Sequence, residues 1–190
     1  ALAALAGGSV PAEAARAQGR LLPRDPGSRA IDKPFRSIED YQAYLQANPS
    51  SLPAYLELSS IYSLAGDYLS ALKTLSKAQA VAPKDPQAKL LVAKNRIWRG
   101  EVKEGLEAYR NYLQLRPDDL AGYAEAGKVA AWTGRYPDSK AFYAQGLAAF
   151  PGEPSLQVNL GLTQLWASEP REAERSFAEA EAAALAAAGA

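Results

Sequence analysis

Three tryptophans, Trp98, Trp132 and Trp166, are the only indoles in the chain, and each stands 34 residues from the next. An indole face can cover an apolar anchor of a bound peptide, stack on a sugar ring, or bury itself in the gap between packed helices. Arg99 and Arg135 border this ladder. The densest acidic spots are Asp118-Asp119 and residues 169–174. A hydrolase needs a nucleophile beside a base, or two carboxylates facing one cleft. Asp118 and Asp119 follow Pro117, where they are expected to cap the free N–H groups of a helix and meet its positive dipole end. Glu172, Glu174, Glu179 and Glu181 alternate with Arg171 and Arg175 as a solvated helix face. With no histidine and no cysteine, the commonest general base, thiol nucleophiles and the usual transition-metal ligands are missing. No phosphate-cradling glycine motif occurs. The residues therefore point to no catalytic group, no metal site and no cofactor. They point to binding.

The period itself dictates the elements that must position those residues. Pro49, Pro83, Pro117 and Pro151 recur every 34 residues, and so do Gly66, Gly100, Gly134 and Ser168 between them. A fixed period in this range marks a stacked repeat architecture. Each midway Gly or Ser suits the left-handed residue that ends a helix. The second helix of each unit carries a small residue (Ala71, Gly105, Ser139, Ala173) and a large one four later (Leu75, Tyr109, Tyr143, Phe177). Small against large is what two closely crossed helices need to interlock. Residues 1–30 are rich in Ala, Gly and Pro and read as a lead-in. Their apolar start and Ala15-Arg16-Ala17 fit either the remnant of a secretory leader or an Ala-rich terminus. Pro34 is expected to open a helix through Ala47.

Composition narrows the rest. The 190 residues carry 21 basic and 21 acidic side chains, so the net charge is zero. That balance argues against a nucleic-acid partner. No run reaches the roughly 18 apolar residues of a membrane span. Methionine is absent even at position 1, as in a processed form or a piece of a longer chain.

The pattern resembles the tetratricopeptide repeat (TPR) family. Residues 52–85 carry it best, through Tyr55, Leu58, Ser59, Tyr62, Gly66, Tyr68, Ala71, Leu75, Ala78 and Pro83. Residues 86–119, 120–153 and 154–187 follow in register, with Ala93, Gly127 and Gly161 at the tight position of the first helix, and 34–51 forms a half repeat. The resemblance implies an all-α fold, a right-handed superhelical solenoid of antiparallel helix pairs over 31–190. Tyr112, standing where the family places a small residue, implies locally unusual packing. The tail after Glu181 has little charge, and a further repeat or a partner is expected to cover it.

In this family the first helices line the concave groove. That places Pro53, Leu56, Ser60, Ser63 and Leu64 along the first row, and Gln87, Leu90, Lys94, Ile97 and Trp98 along the second. Ala121, Ala124, Lys128, Ala131 and Trp132 make the third row; Ser155, Val158, Leu162, Leu165 and Trp166 make the fourth. Lys94 and Lys128 would stack as neighbours. The candidate ligand groove is Leu90, Lys94, Ile97, Trp98, Lys128, Trp132, Arg135, Leu162 and Trp166. Chaperone-tail adaptors hold a terminal carboxylate with a Lys/Asn/Arg clamp, and Leu56, Ser60, Leu91, Ala121 and Glu125 stand there instead. The expected ligand is a protein or peptide, an amphipathic helix or an extended segment with apolar anchors. The run Ala131-Trp132-Thr133-Gly134-Arg135-Tyr136 also looks like TPR arrays of bacterial envelope proteins, including scaffolds for exopolysaccharide synthesis and export. That likeness implies a periplasmic setting over a cytoplasmic one, and polysaccharide as the second candidate ligand.

Overall fold

The computed structural model describes residues 37–189. The expectations about residues 1–30 and Pro34 lie outside them. Among the described residues there are nine α-helices and no strand. They are α1 (Ile38–Ala47), α2 (Leu52–Leu64), α3 (Tyr68–Val81), α4 (Pro86–Trp98), α5 (Val102–Leu113), α6 (Leu120–Trp132), α7 (Tyr136–Ala149), α8 (Pro154–Trp166) and α9 (Pro170–Ala188). Two compact units result, one ending at Glu101 and the other beginning at Val102. Ser37 caps α1, its hydroxyl accepting from the Asp40 N–H at 3.2 Å.

The turns form where the sequence places them. Gly66, Gly100 and Gly134 have φ of 77°, 90° and 73°, and Ser168 adopts 64° in the same place. Each is the left-handed residue of a Schellman-type close. After α2, the Asp67 N–H reaches the Tyr62 carbonyl at 2.9 Å and the Gly66 N–H reaches Ser63 at 3.1 Å. The same pair recurs after α8, with Glu169 on Gln164 at 2.8 Å and Ser168 on Leu165 at 3.0 Å. These short reversals lay α2 against α3, α6 against α7 and α8 against α9 as antiparallel pairs. First helices also sit beside one another, α4 against α2 in the first unit and α8 against α6 in the second.

In the first unit Tyr41, Leu45, Tyr55, Leu58 and Leu75 bury together around Ala54, Ala78 and Ala88. In the second unit Tyr109, Phe142, Tyr143, Leu106 and Leu156 are the largest buried groups. Tyr112 is buried as well, and its room comes from Gly122. A Cβ on Gly122 would lie 3.1 Å from the Tyr112 ring. The next pair reverses the sizes, since a Cβ on Gly146 would meet Leu156 at 2.8 Å. Large and small thus trade places across the α5–α6 and α7–α8 contacts, keeping the summed volume filled.

One expectation about the acidic cluster is corrected. Asp119 precedes α6 but its side chain makes no capping bond. Its Oδ2 accepts from the Tyr112 hydroxyl at 2.5 Å. Asp118 pairs with the Arg116 guanidinium at 2.9 Å, which holds the Asp118 carboxyl below its usual range. The Tyr112 phenol engages the Asp119 carboxylate and the Arg116 cation engages that of Asp118.

Candidate binding surface

Each tryptophan is the last residue of a first helix, on α4, α6 and α8. The glycine or serine turn begins two residues later, so the helix end leaves one flank of the ring uncovered. Trp98 is 52% exposed, Trp132 55% and Trp166 48%. None is a buried plug. Trp98 leans on Tyr68, with ring centroids 5.9 Å apart and planes tilted by 38°.

On α4, Leu90, Lys94 and Ile97 are partly exposed on the helix that ends in Trp98. Lys94 has an interaction partner. Beyond Trp98, the Arg99 Nη1 lies 2.6 Å from Glu101, and Arg96 reaches the same carboxylate at 4.0 Å.

In the second unit, α6 contributes the exposed Lys128 and Trp132. α8 adds the partly exposed Leu162 together with Val158, Leu165 and Trp166, which are 40%, 46% and 48% exposed. α8 carries no charged residue. Arg135 is partly exposed, and its Nε is held by Asp138 at 2.7 Å. Asp138 also receives Arg110 at 2.5 Å, and that guanidinium lies over the Phe142 ring at 5.2 Å. Arg135 is therefore a structural cation as much as a surface one.

Of the nine candidate groove residues, Leu90, Lys94, Ile97 and Trp98 share α4. Lys128 and Trp132 share α6, Leu162 and Trp166 share α8, and Arg135 follows in the turn. Lys94 belongs to the first unit and Lys128 to the second. Two residues placed in the groove rows are core instead. Leu56 is 7% exposed and packs in the cluster around Tyr55 and Leu75. Ala131 is 4% exposed, on an α6 flanked by α8. Ser63 is engaged as well, donating to Asn95 Oδ1 at 2.7 Å. Sequence reasoning missed Tyr68 as the support of Trp98. The available signal was spacing, since the interval from Tyr68 to Trp98 recurs from Tyr136 to Trp166.

The surroundings of the buried phenols suit a framework role. Burial pushes Tyr109, Tyr112 and Tyr143 far above the usual phenol range, aided by Glu125 at Tyr109 and Asp119 at Tyr112. Among the described residues no group of three His, Cys, Asp or Glu could hold a metal ion. No described helix is long and apolar enough to cross a membrane.

A family model described as tetratricopeptide repeat matches residues 36–94. The human protein O-mannosyl-transferase TMTC1 is 31% identical over 113 residues, which are 57% of this chain and 13% of that protein. The chain thus spans a small part of that relative. A crystal structure of MamA superposes with a TM-score of 0.66 at 19% identity, covering 82% of this chain and 91% of that one. YrrB, described as a TPR protein with an unusual peptide-binding site, superposes at 0.61 with 17% identity, covering 77% of this chain and 75% of that one. At these identities the structural likenesses establish the fold alone.

Proposed function

We propose, from the tetratricopeptide-repeat match over residues 36–94 and the all-helical fold shared with MamA and YrrB, that the chain is a non-catalytic scaffold holding a partner polypeptide on the outward faces of its first helices. The observation that carries this reading is the half-exposed tryptophan ending three successive first helices. Exposed large aromatics cost solvation in a free monomer and are favoured anchors at interfaces. The unusual peptide-binding site described for YrrB belongs to that protein; it is consistent with this use of the fold. An exopolysaccharide partner in a bacterial envelope is the second reading, favoured by the same indole faces.

The double variant Trp132→Ala/Trp166→Ala tests the scaffold reading. Full-length protein coupled to resin is expected to retain a discrete protein from an extract of its own cells, and the variant to lose it with unchanged helicity and melting. Retention that persists in the variant would sink the proposal. So would saturable quenching of the tryptophans by acidic exopolysaccharide with no protein retained.

A further inference from the structure

We infer that the junctions between successive repeats carry a pairing key, which sets each second helix on its own following first helix and keeps the array from closing one repeat out of step. The strict 34-residue period creates the need. Successive second helices present similar faces to successive first helices, so a pairing displaced by one repeat competes with the correct one. The helices skipped over are then free to pair with a second copy of the chain, a common misassembly of repeat proteins. The device acts on the chain itself and does not depend on the scaffold reading.

Two positions at the junctions break the sameness. The first is a size key in the second unit. Tyr112 on α5 faces Gly122 on α6, where a Cβ would lie 3.1 Å from the ring. One period later, Gly146 on α7 faces Leu156 on α8, and a Cβ on the glycine would meet that leucine at 2.8 Å. Displacing α5 onto α8 sets Tyr112 against Leu156, two large side chains where each correct junction holds one. Both are buried in the native fold, so neither has solvent to turn into. Overpacking of this kind forces strained rotamers and shifts the backbone.

The second is a polar key in the first unit. The Tyr41 hydroxyl on α1 donates to the Glu57 carboxylate on α2. One period later the same two places hold Leu75, inside the core, and Leu91, packed against it. Displacing α1 onto α4 sets the Tyr41 phenol against Leu91, which accepts no hydrogen bond. Tyr41 is buried, and a buried donor left without a partner costs more than its bond contributes when made. The phenol–carboxylate pair returns at Tyr109 and Glu125. Along these three junctions polar and apolar pairs therefore alternate.

The test refolds the full chain from denaturant at micromolar concentration and follows oligomeric state by size-exclusion chromatography with light scattering. Tyr112→Gly/Gly122→Leu copies the Gly146–Leu156 junction onto the one before it. Tyr41→Leu/Glu57→Leu copies the Leu75–Leu91 junction in the same way. Each copied variant is expected to regain its helicity and to yield chain-exchanged oligomers at about tenfold the parent's fraction. Gly127→Ala is the control. It overpacks the Tyr143 ring between α6 and α7 and leaves both keys unchanged, so it lowers stability without adding such species. Copied variants that both refold to the parent's species overturn the inference. An equal oligomer fraction from Gly127→Ala overturns it as well, since lost stability alone would then explain the exchange. Failure of both copied variants to regain helicity is equally fatal, because the pairs would then be making the junctions rather than choosing among them.

Discussion

The two units close the same helix pairs by different means. In the first, the tight positions are filled by Ser59, Ala71, Ala78, Ala88 and Ala93, all fully buried. One polar bridge, Ser63 to Asn95, joins α2 to α4, and the other buried polar groups bond within their own helices. The Ser59 hydroxyl donates to the Leu56 carbonyl at 2.7 Å, Ser63 donates to Asn95, and Asn95 Nδ2 donates to the Leu91 carbonyl at 2.8 Å. The second unit sets bare backbone against aromatic rings. A Cβ on Gly127 would lie 2.5 Å from the Tyr143 ring, and one on Gly161 2.6 Å from Phe177. Glycine inside a helix costs about 1 kcal/mol against alanine, which the closer burial of a ring offsets. The second unit has therefore concentrated its stability in a few ring contacts, and it is the unit that should break first.

Alkali should separate them most. Among the described residues, Tyr109, Tyr112, Tyr123 and Tyr143 of the second unit are raised above the ordinary phenol value, against Tyr41 in the first. The native state keeps these protons while the unfolded chain releases them near pH 10. Stability is thus fully present below about pH 10 and falls as pH rises beyond it, by about 1.4 kcal/mol per pH unit for each such buried phenol. Single-reporter variants follow the units apart: Trp132→Phe/Trp166→Phe leaves Trp98 for the first, and Trp98→Phe leaves the indoles of the second. The second unit is expected to melt at lower pH, and Tyr143→Phe to raise its midpoint. Coincident midpoints would remove the contrast.

Gly127→Ala tests the interlock directly. The added methyl must displace the Tyr143 ring, an overpacking of about 2 kcal/mol after the gain in helix propensity. Ser59→Ala, at the same register in the first unit, removes a hydroxyl bonded within its own helix and should change the melting free energy little. Equal effects in chemical denaturation would show that the ring contact is not what holds α6 to α7. Asn95→Ala ranks next, at about 1 kcal/mol, because it removes a buried side-chain bridge between α2 and α4. A variant as stable as the parent would mean that the polar bridge adds nothing in the first unit.

Much of this was legible in the chain because a strict period transmits both a turn and its geometry. Gly66, Gly100 and Gly134 could be assigned their left-handed backbone from spacing alone. What a single helix cannot reveal is which neighbour lies across its outward face. Leu56 and Ala131 read as groove residues because their own helices turn them outward, and they are core because another helix stacks there. The fate of Asp119 was hidden for the same reason, since it is decided by a tyrosine from the preceding helix. One signal was available and unused. Positions ten apart, Tyr112 and Gly122, Gly146 and Leu156, set a large residue against a glycine, so Tyr112 announced its own glycine. The exposure of the tryptophans was not legible, because a helix end offers an indole both a crevice and the solvent.

The smallest predicted effect lies in the turn that departs from the other three. Ser168 holds φ at 64°, where Gly66, Gly100 and Gly134 stand in the equivalent places. A side chain in this region crowds the backbone, at about 1 kcal/mol relative to glycine. Its turn still makes both closing bonds, Glu169 to Gln164 and Ser168 to Leu165, so the strain is carried by a well-formed reversal. Ser168→Gly should relieve it, less the extra entropy that glycine gives the unfolded chain. A net gain of about 0.5 kcal/mol is expected, read as a higher midpoint from the Trp132 and Trp166 signals with Trp98 unmoved. Gly66→Ala provides the mirror case. Open space surrounds the added Cβ there, so any loss reports backbone conformation alone, and it should appear in the first unit with opposite sign. If Ser168→Gly destabilises, the serine hydroxyl contributes more than its backbone costs, and the last turn of the array is held by a different balance from the others.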